Sequence, residues 1–263
     1  MSFSVPSLSE PAIVTRLRAA GCVFAEEEAR LLVSTATTPA DLGAMVERRA
    51  GGLPLEHVLG WAEFRGLRVE VDAGVFVPRR RTEFLVGEAA ALAPPRAVAV
   101  DLCCGAGALG LALAEAADLA ELHAADIAPA AVRCARRNLG DRGRVYEGDL
   151  FDPLPASLRG RVDILLANVP YVPTGELGLL PSEAREHEAR TALDGGADGL
   201  AVLRRVTAAA VAWLAPGGHL LFETSERQVP RAAQIVAGDG LVPRVATCEE
   251  LYATVVIGTG PTG

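Results

Sequence analysis

One stretch of the sequence combines residue types that suit an unusual chemistry: Leu165-Leu166-Ala167-Asn168-Val169-Pro170-Tyr171. Aliphatic residues fit for a buried strand end abruptly on a carboxamide, followed by a valine, a proline and a tyrosine. A carboxamide neither titrates near neutrality nor attacks a substrate, but its oxygen accepts and its nitrogen donates hydrogen bonds. At the tip of a strand it suits the holding of a planar NH₂ group, with a backbone carbonyl of the following turn as a second acceptor. Pro170 stiffens that turn, and Tyr171 offers a flat wall. The plain alternative is an Asn-x-Pro turn that merely ends a strand.

A second constellation lies upstream. Strand-like Ala97-Val98-Ala99-Val100-Asp101 runs into Leu102-Cys103-Cys104-Gly105-Ala106-Gly107-Ala108-Leu109-Gly110. The glycines match G-x-G-x-x-G at a strand-to-helix turn, where backbone N–H groups approach a ligand closely. Asp126, followed by Ile127, closes the next strand about 20 residues beyond the first glycine, where a carboxylate accepts both hydroxyls of a ribose. Asp149, followed by Leu150, ends the third strand, a position that addresses an adenine edge. Capping or turn roles are the ordinary use of such aspartates; two at successive strand ends favour a nucleoside. Asp101 is expected to point into the glycine turn. There it would repel a diphosphate and attract the cationic methionine end of S-adenosylmethionine, so the methyl donor is favoured over a nicotinamide dinucleotide.

Elements that would position these residues follow from periodicity. From residue 97 onward, aliphatic strands alternate with amphipathic helices, which predicts an α/β fold, a doubly wound parallel sheet covered on both faces. Residues 8–60 carry helical periodicity, with Pro39-Ala40-Asp41 restarting a helix and Gly51-Gly52-Leu53-Pro54 ending it. The segment from Ala62 to Arg79 alternates apolar and polar residues about a Gly-containing turn, as a β-hairpin does. The expected division is a helical substrate-recognition domain over 1–60, a hairpin linker over 61–80 and a cofactor-binding domain over 81–263.

Composition narrows the partners. With 263 residues, half of them apolar, and a formal charge of −8, the chain has material for a large core and no overall attraction to phosphate backbones or anionic lipid. No direct nucleic-acid or membrane partner is therefore expected. All basic residues are arginine, which is read as codon bias. The five cysteines show neither metal spacing nor a disulfide framework, and Cys103 and Cys104 read as packing thiols in a reducing cytoplasm. The four histidines are scattered, with only His187 placed near the site. Neither a leader nor a spanning segment is expected. The segment from Glu183 to Arg190 is read either as the start of a cover over the pocket or as a solvated loop, and the oligomeric state is left open.

The chain resembles the PrmC (HemK) family of protein-glutamine methyltransferases, which methylate the glutamine of the Gly-Gly-Gln loop in peptide-chain release factors. That family's hallmark is Asn-Pro-Pro-Tyr, and Asn168-Val169-Pro170-Tyr171 stands in its place. Pro54 to Val71, Val75 to Val86, Leu193 to Val206 and Leu214 to Ser225 resemble further segments of the family. The resemblance implies a Rossmann-like class I methyltransferase fold with seven strands, the last antiparallel, behind a small helical domain that grips the release factor. It implies that Asn168, Pro170 and Tyr171 carry the reaction, with Val169 and Glu83 also at the substrate. It further implies that S-adenosylmethionine, leaving as S-adenosylhomocysteine, is lined by Arg79, Thr82, Asp101, Cys103, Cys104, Gly105, Ala106, Gly107, Asp126, Ile127, Asp149, Leu150 and Asn168.

Three departures stand out: Val169 replaces a proline and is expected to loosen the turn, Cys103 sits where a glycine is usual, and Arg80 or Arg81 occupies the place of a second proline. Rival readings are an adenine-N6 nucleic-acid methyltransferase, a nicotinamide-dependent reductase and a non-catalytic adenosylmethionine-binding paralogue.

Overall fold

The computed structural model describes residues 9–262, so what residues 1–8 suggest about a leader lies outside it. Helices α1 (Glu10–Ala19), α2 (Ala25–Thr35), α3 (Pro39–Ala50) and α4 (Leu55–Leu59) come first. They close on a core of their own, with Ile13, Leu17, Ala29, Leu32, Met45, Val46 and Val58 buried. Thr38 caps α3 by accepting the Asp41 N–H at 3.1 Å, with Pro39 in the first helical turn. The antiparallel strands β1 (Trp61–Phe64) and β2 (Leu67–Glu70) turn through Arg65 and Gly66, both at positive φ, as a tight two-residue hairpin requires. Inward-facing Phe64 and Val69 belong to the same apolar layer as Leu85, Leu109 and Leu113.

The remaining elements are α5 (Glu83–Leu92), β3 (Ala97–Leu102), α6 (Ala108–Ala116), β4 (Leu119–Asp126), α7 (Pro129–Leu139), β5 (Arg144–Glu147), β6 (Val162–Ala167), α8 (Ser182–His187), α9 (Ala201–Ala210), β7 (Leu214–Glu223), α10 (Val229–Gly238), β8 (Val242–Cys248) and β9 (Ala253–Thr259). One seven-stranded sheet runs in the order β5-β4-β3-β6-β7-β9-β8. The ladders from β5 to β7 are parallel, and β9 lies antiparallel to both β7 and β8. This is the doubly wound sheet that the periodicity predicts, with the antiparallel last strand that the resemblance implies. Every residue of β3 is buried, as a central strand covered on both faces must be.

Chain order reverses between β3 and β6, and the crevice outside their carboxyl ends is where such sheets bind ligands. Both singular stretches of the sequence emerge there. Among the described residues no helix is long and apolar enough to cross a membrane.

Candidate active site

A cavity of about 350 Å³ opens at this switch point, within the range of small-molecule sites. The turn after β3 forms one wall. Cys103, Gly105 and Gly107 all have positive φ, a conformation that glycine adopts freely and cysteine at a cost of about 1 kcal/mol. Cys103, Cys104, Gly105 and Ala106 line the cavity. Gly107 does not; an added Cβ there would meet the Ala135 Cβ of α7 at 3.1 Å, so this glycine lets the turn settle against a helix.

Asp126 and Ile127, at the end of β4, line the same wall. One Asp126 oxygen accepts the Gly105 N–H at 2.9 Å and the other accepts the Ala128 N–H at 2.8 Å. A carboxylate has about four acceptor sites, so lone pairs are left for a ligand's hydroxyls. Burial raises the Asp126 carboxyl and these backbone amides oppose the rise.

Asp101 departs from its expected place. It lies beneath the turn, 1 % exposed, and does not line the cavity. One of its oxygens accepts the Gly110 N–H at 3.0 Å inside α6, while Oδ1 has no partner. Burial pushes this carboxyl up to about 7, against the opposing Gly110 N–H. The strand's alternation turns the side chain under the helix, so the contrast drawn above between a diphosphate and a cation has no direct contact behind it.

Facing the glycine turn is the turn after β6. Asn168, Val169, Pro170 and Tyr171 all line the cavity. The Asn168 carboxamide makes no hydrogen bond to any described residue, and the Val169 and Pro170 carbonyls accept none from the backbone. The Val169 carbonyl and the Asn168 carboxamide are thereby left without a partner among the described residues, while the Pro170 carbonyl packs against Gly195. The Val169 N–H donates to the Ala167 carbonyl at 2.8 Å and its side chain is 2 % exposed. The turn is therefore tied by a hydrogen bond and by burial, which corrects the expectation that valine loosens it.

Tyr171 is fixed from outside. Its phenol donates to Glu223 at 2.8 Å and also meets the Arg81 guanidinium. Glu223, at the end of β7 and 3 % exposed, also accepts from Arg81 Nε and from the Thr82 hydroxyl, each at 2.7 Å. Burial and the Glu223 charge push the phenol above its ordinary range, with Arg81 opposing. Arg79 lines the cavity and pairs with buried Glu188 at 2.6 Å. Glu83 turns the other way: it accepts the Arg65 amide at the hairpin tip and does not line the cavity.

Asp149 and Leu150 line a separate, adjoining pocket of about 400 Å³ that shares Cys103, Asp126, Ile127 and Pro170 with the main cavity. Asp149 there pairs with Arg205 at 2.7 Å.

Of the two readings of the charged segment, a cover fits: Glu183, Ala184, Glu188 and Ala189, with Leu180 before them, line the cavity, whereas His187 does not. Five contributors, in three places, were missed in the sequence. Glu223 bonds to three groups distant in sequence. Pro54 and Glu56 bring the helical unit to the cavity rim. Gly195 and Gly199 approach the motif's backbone so closely that an added Cβ would strike the Pro170 and Tyr171 carbonyl oxygens. The glycine-rich run Asp194 to Gly199 was the available signal.

A glycine turn, the Asp126 carboxylate and the Asn168 carboxamide lining one cavity, at the switch point of a sheet of this order, have the layout of a Rossmann-like class I methyltransferase. The fold is shared with a methyltransferase from Pyrococcus furiosus (TM-score 0.56, 14 % identity, covering 75 % of this chain and 90 % of that one). It is also shared with the Thermus thermophilus 16S rRNA N2 G1207 methyltransferase (TM-score 0.54, 19 % identity, covering 76 % and 49 %). Residues 67–196 match the methyltransferase small domain. Release factor glutamine methyltransferases from Geobacter sulfurreducens and Mycolicibacterium smegmatis are each 41 % identical, over 70 % and 74 % of this chain and 66 % and 70 % of their own lengths. The chain belongs to the release factor glutamine methyltransferase family.

Proposed function

We propose that this chain transfers the methyl group of S-adenosylmethionine to the side-chain amide nitrogen of a glutamine in a peptide-chain release factor, leaving S-adenosylhomocysteine. The observation that carries the reading is the Asn168 carboxamide, without a partner among the described residues, in one cavity with the glycine turn and Asp126. When bound, the donor supplies an electrophilic methyl carbon on a sulfonium. Cys103, Cys104, Gly105 and Ala106 form its floor, Asp126 takes its ribose hydroxyls, and Arg79 and Thr82 close its edge. Asp149 and Leu150, in the adjoining pocket, receive the adenine.

Asn168 Oδ1 accepts one proton of the glutamine NH₂ and a carbonyl of Val169 or Pro170 accepts the other. The nitrogen is thereby fixed in plane and facing the donor. Tyr171, braced by Glu223 and Arg81, walls the flat amide. The N–C bond forms as the methyl–sulfur bond breaks and one of the two amide protons is released to water, with positioning and preorganised dipoles supplying the rate. Helices α1 to α4 are read as the substrate-recognition unit, because Arg49, held by Glu28 at 2.6 Å, reaches Glu183 of the cavity cover, also at 2.6 Å. A release-factor substrate puts the reaction in the cytoplasm.

The test is to incubate intact release factors with the protein and S-adenosylmethionine and to map modified peptides by mass spectrometry. One methyl group on the glutamine of the Gly-Gly-Gln loop is expected. Methyl transfer to nucleic acid only, or to no release factor, overturns the assignment.

A further inference from the structure

We infer that the backbone N–H of Val169 is a positioning group for methyl transfer: it closes a turn around Asn168 and thereby sets the direction in which the carboxamide leaves the main chain. The inference rests on the reading of Asn168 as the holder of the acceptor amide.

The Val169 N–H donates to the Ala167 carbonyl at 2.8 Å, a three-residue turn with Asn168 at its centre. Asn168 is not among the residues with positive φ, so the turn is of the inverse, unstrained kind. This matters because the Asn168 side chain has no hydrogen-bond partner among the described residues. Its Cα–Cβ direction is fixed by the backbone alone, and the only bond closing the backbone across it is the one from residue 169. The Val169 side chain, 2 % exposed, is anchored in the apolar layer that includes Leu150, Leu165 and Leu200. Asn168 and Val169 both line the cavity, and the Val169 side chain also packs in the core, so the anchor and the bond act on the same peptide unit. The resembled motif has proline at this position; proline has no N–H and restricts the residue before it instead.

Two substitutions separate the N–H from the side chain. Val169→Pro keeps apolar bulk and removes the N–H. Val169→Ala keeps the N–H and removes bulk. Single-turnover methyl transfer to the glutamine substrate is measured for both, alongside KM and the dissociation constant for S-adenosylmethionine. Val169→Pro is expected to lower kcat by at least about tenfold with KM and cofactor affinity little moved, the signature of misplacement in the bound state. Val169→Ala is expected to lower thermal stability more than it lowers kcat, which should fall by no more than about threefold.

A Val169→Pro enzyme as fast as the parent, or a Val169→Ala enzyme that loses as much kcat as Val169→Pro, overturns the inference. If Val169→Pro does not fold, amide hydrogen exchange at residue 169 of the unmodified protein decides. Slow exchange supports the turn, and exchange at open-loop rates overturns it. Slow exchange in a protein that methylates no glutamine would overturn the substrate assignment and leave the turn standing.

Discussion

The turn after β3, residues 103–107, and the turn after β6, residues 168–171, face each other across one cavity and are shaped in opposite ways. The first carries its shape in its own composition, with three residues at positive φ and neighbours at the end of the next strand: Ala125 accepts the Cys104 N–H at 3.1 Å and Asp126 the Gly105 N–H at 2.9 Å. The second has no residue at positive φ. Apart from the local Val169–Ala167 bond, it is held by groups far along the chain: the Leu193 carbonyl accepts the Val172 N–H at 3.1 Å, the Gln228 amide donates to the Tyr171 carbonyl at 2.9 Å, and Glu223 holds the phenol. A site for a common cofactor is thus built from local conformation. The site for a particular acceptor is built from tertiary contacts, and each should fail in its own way when broken.

The largest expected effect is at the second turn. Asn168→Ala should lower turnover by at least about 10³-fold, on the scale of losing an essential transition-state contact, with unchanged cofactor affinity by calorimetry and an unchanged fold by circular dichroism. Next comes the support beneath that turn. Gly199→Ala drives a methyl group into the Tyr171 carbonyl from a position at φ +75°, and should cost about 2 kcal/mol of stability in urea and about 10²-fold in turnover. Gly105→Ala, where an added Cβ meets only Phe76 at 4.0 Å, should cost only about 1 kcal/mol of strain and act on cofactor affinity. Equal effects of the two substitutions on turnover would erase the contrast.

The smallest effect concerns Asp101, beneath the first turn. Burial pushes its carboxyl up to about 7, above the ordinary 3.8, so between those values the folded state keeps a proton that the unfolded chain has lost. Its contribution to stability is complete at low pH and is lost as pH rises through about 7. Unfolding free energy of the cofactor-free protein should fall over this window, and Asp101→Asn should flatten the dependence.

The same contrast explains what could be read in advance. The parallel sheet, the glycine turn and the Asn168 motif are written in short-range patterns, and the structure brings them to one crevice. β8 escaped because it is an edge strand whose partly exposed residues and Pro243 do not alternate cleanly. Asp101 was misplaced because its direction depends on how α6 packs over β3, which periodicity does not encode. Glu223 and Gly199 were invisible as site residues because their partners, Thr82, Arg81 and Tyr171, meet them only after the sheet has formed. The clamp from Arg49 to Glu183 spans 134 positions and has no local signature.

The most direct test of the account is a crystal structure of the protein with S-adenosylhomocysteine and a release-factor segment carrying the acceptor glutamine. The account predicts that Asn168 Oδ1 accepts a hydrogen bond from the glutamine amide and that the amide nitrogen faces the sulfur. An Asn168 side chain turned away from that nitrogen, or a glutamine seated elsewhere, would contradict it.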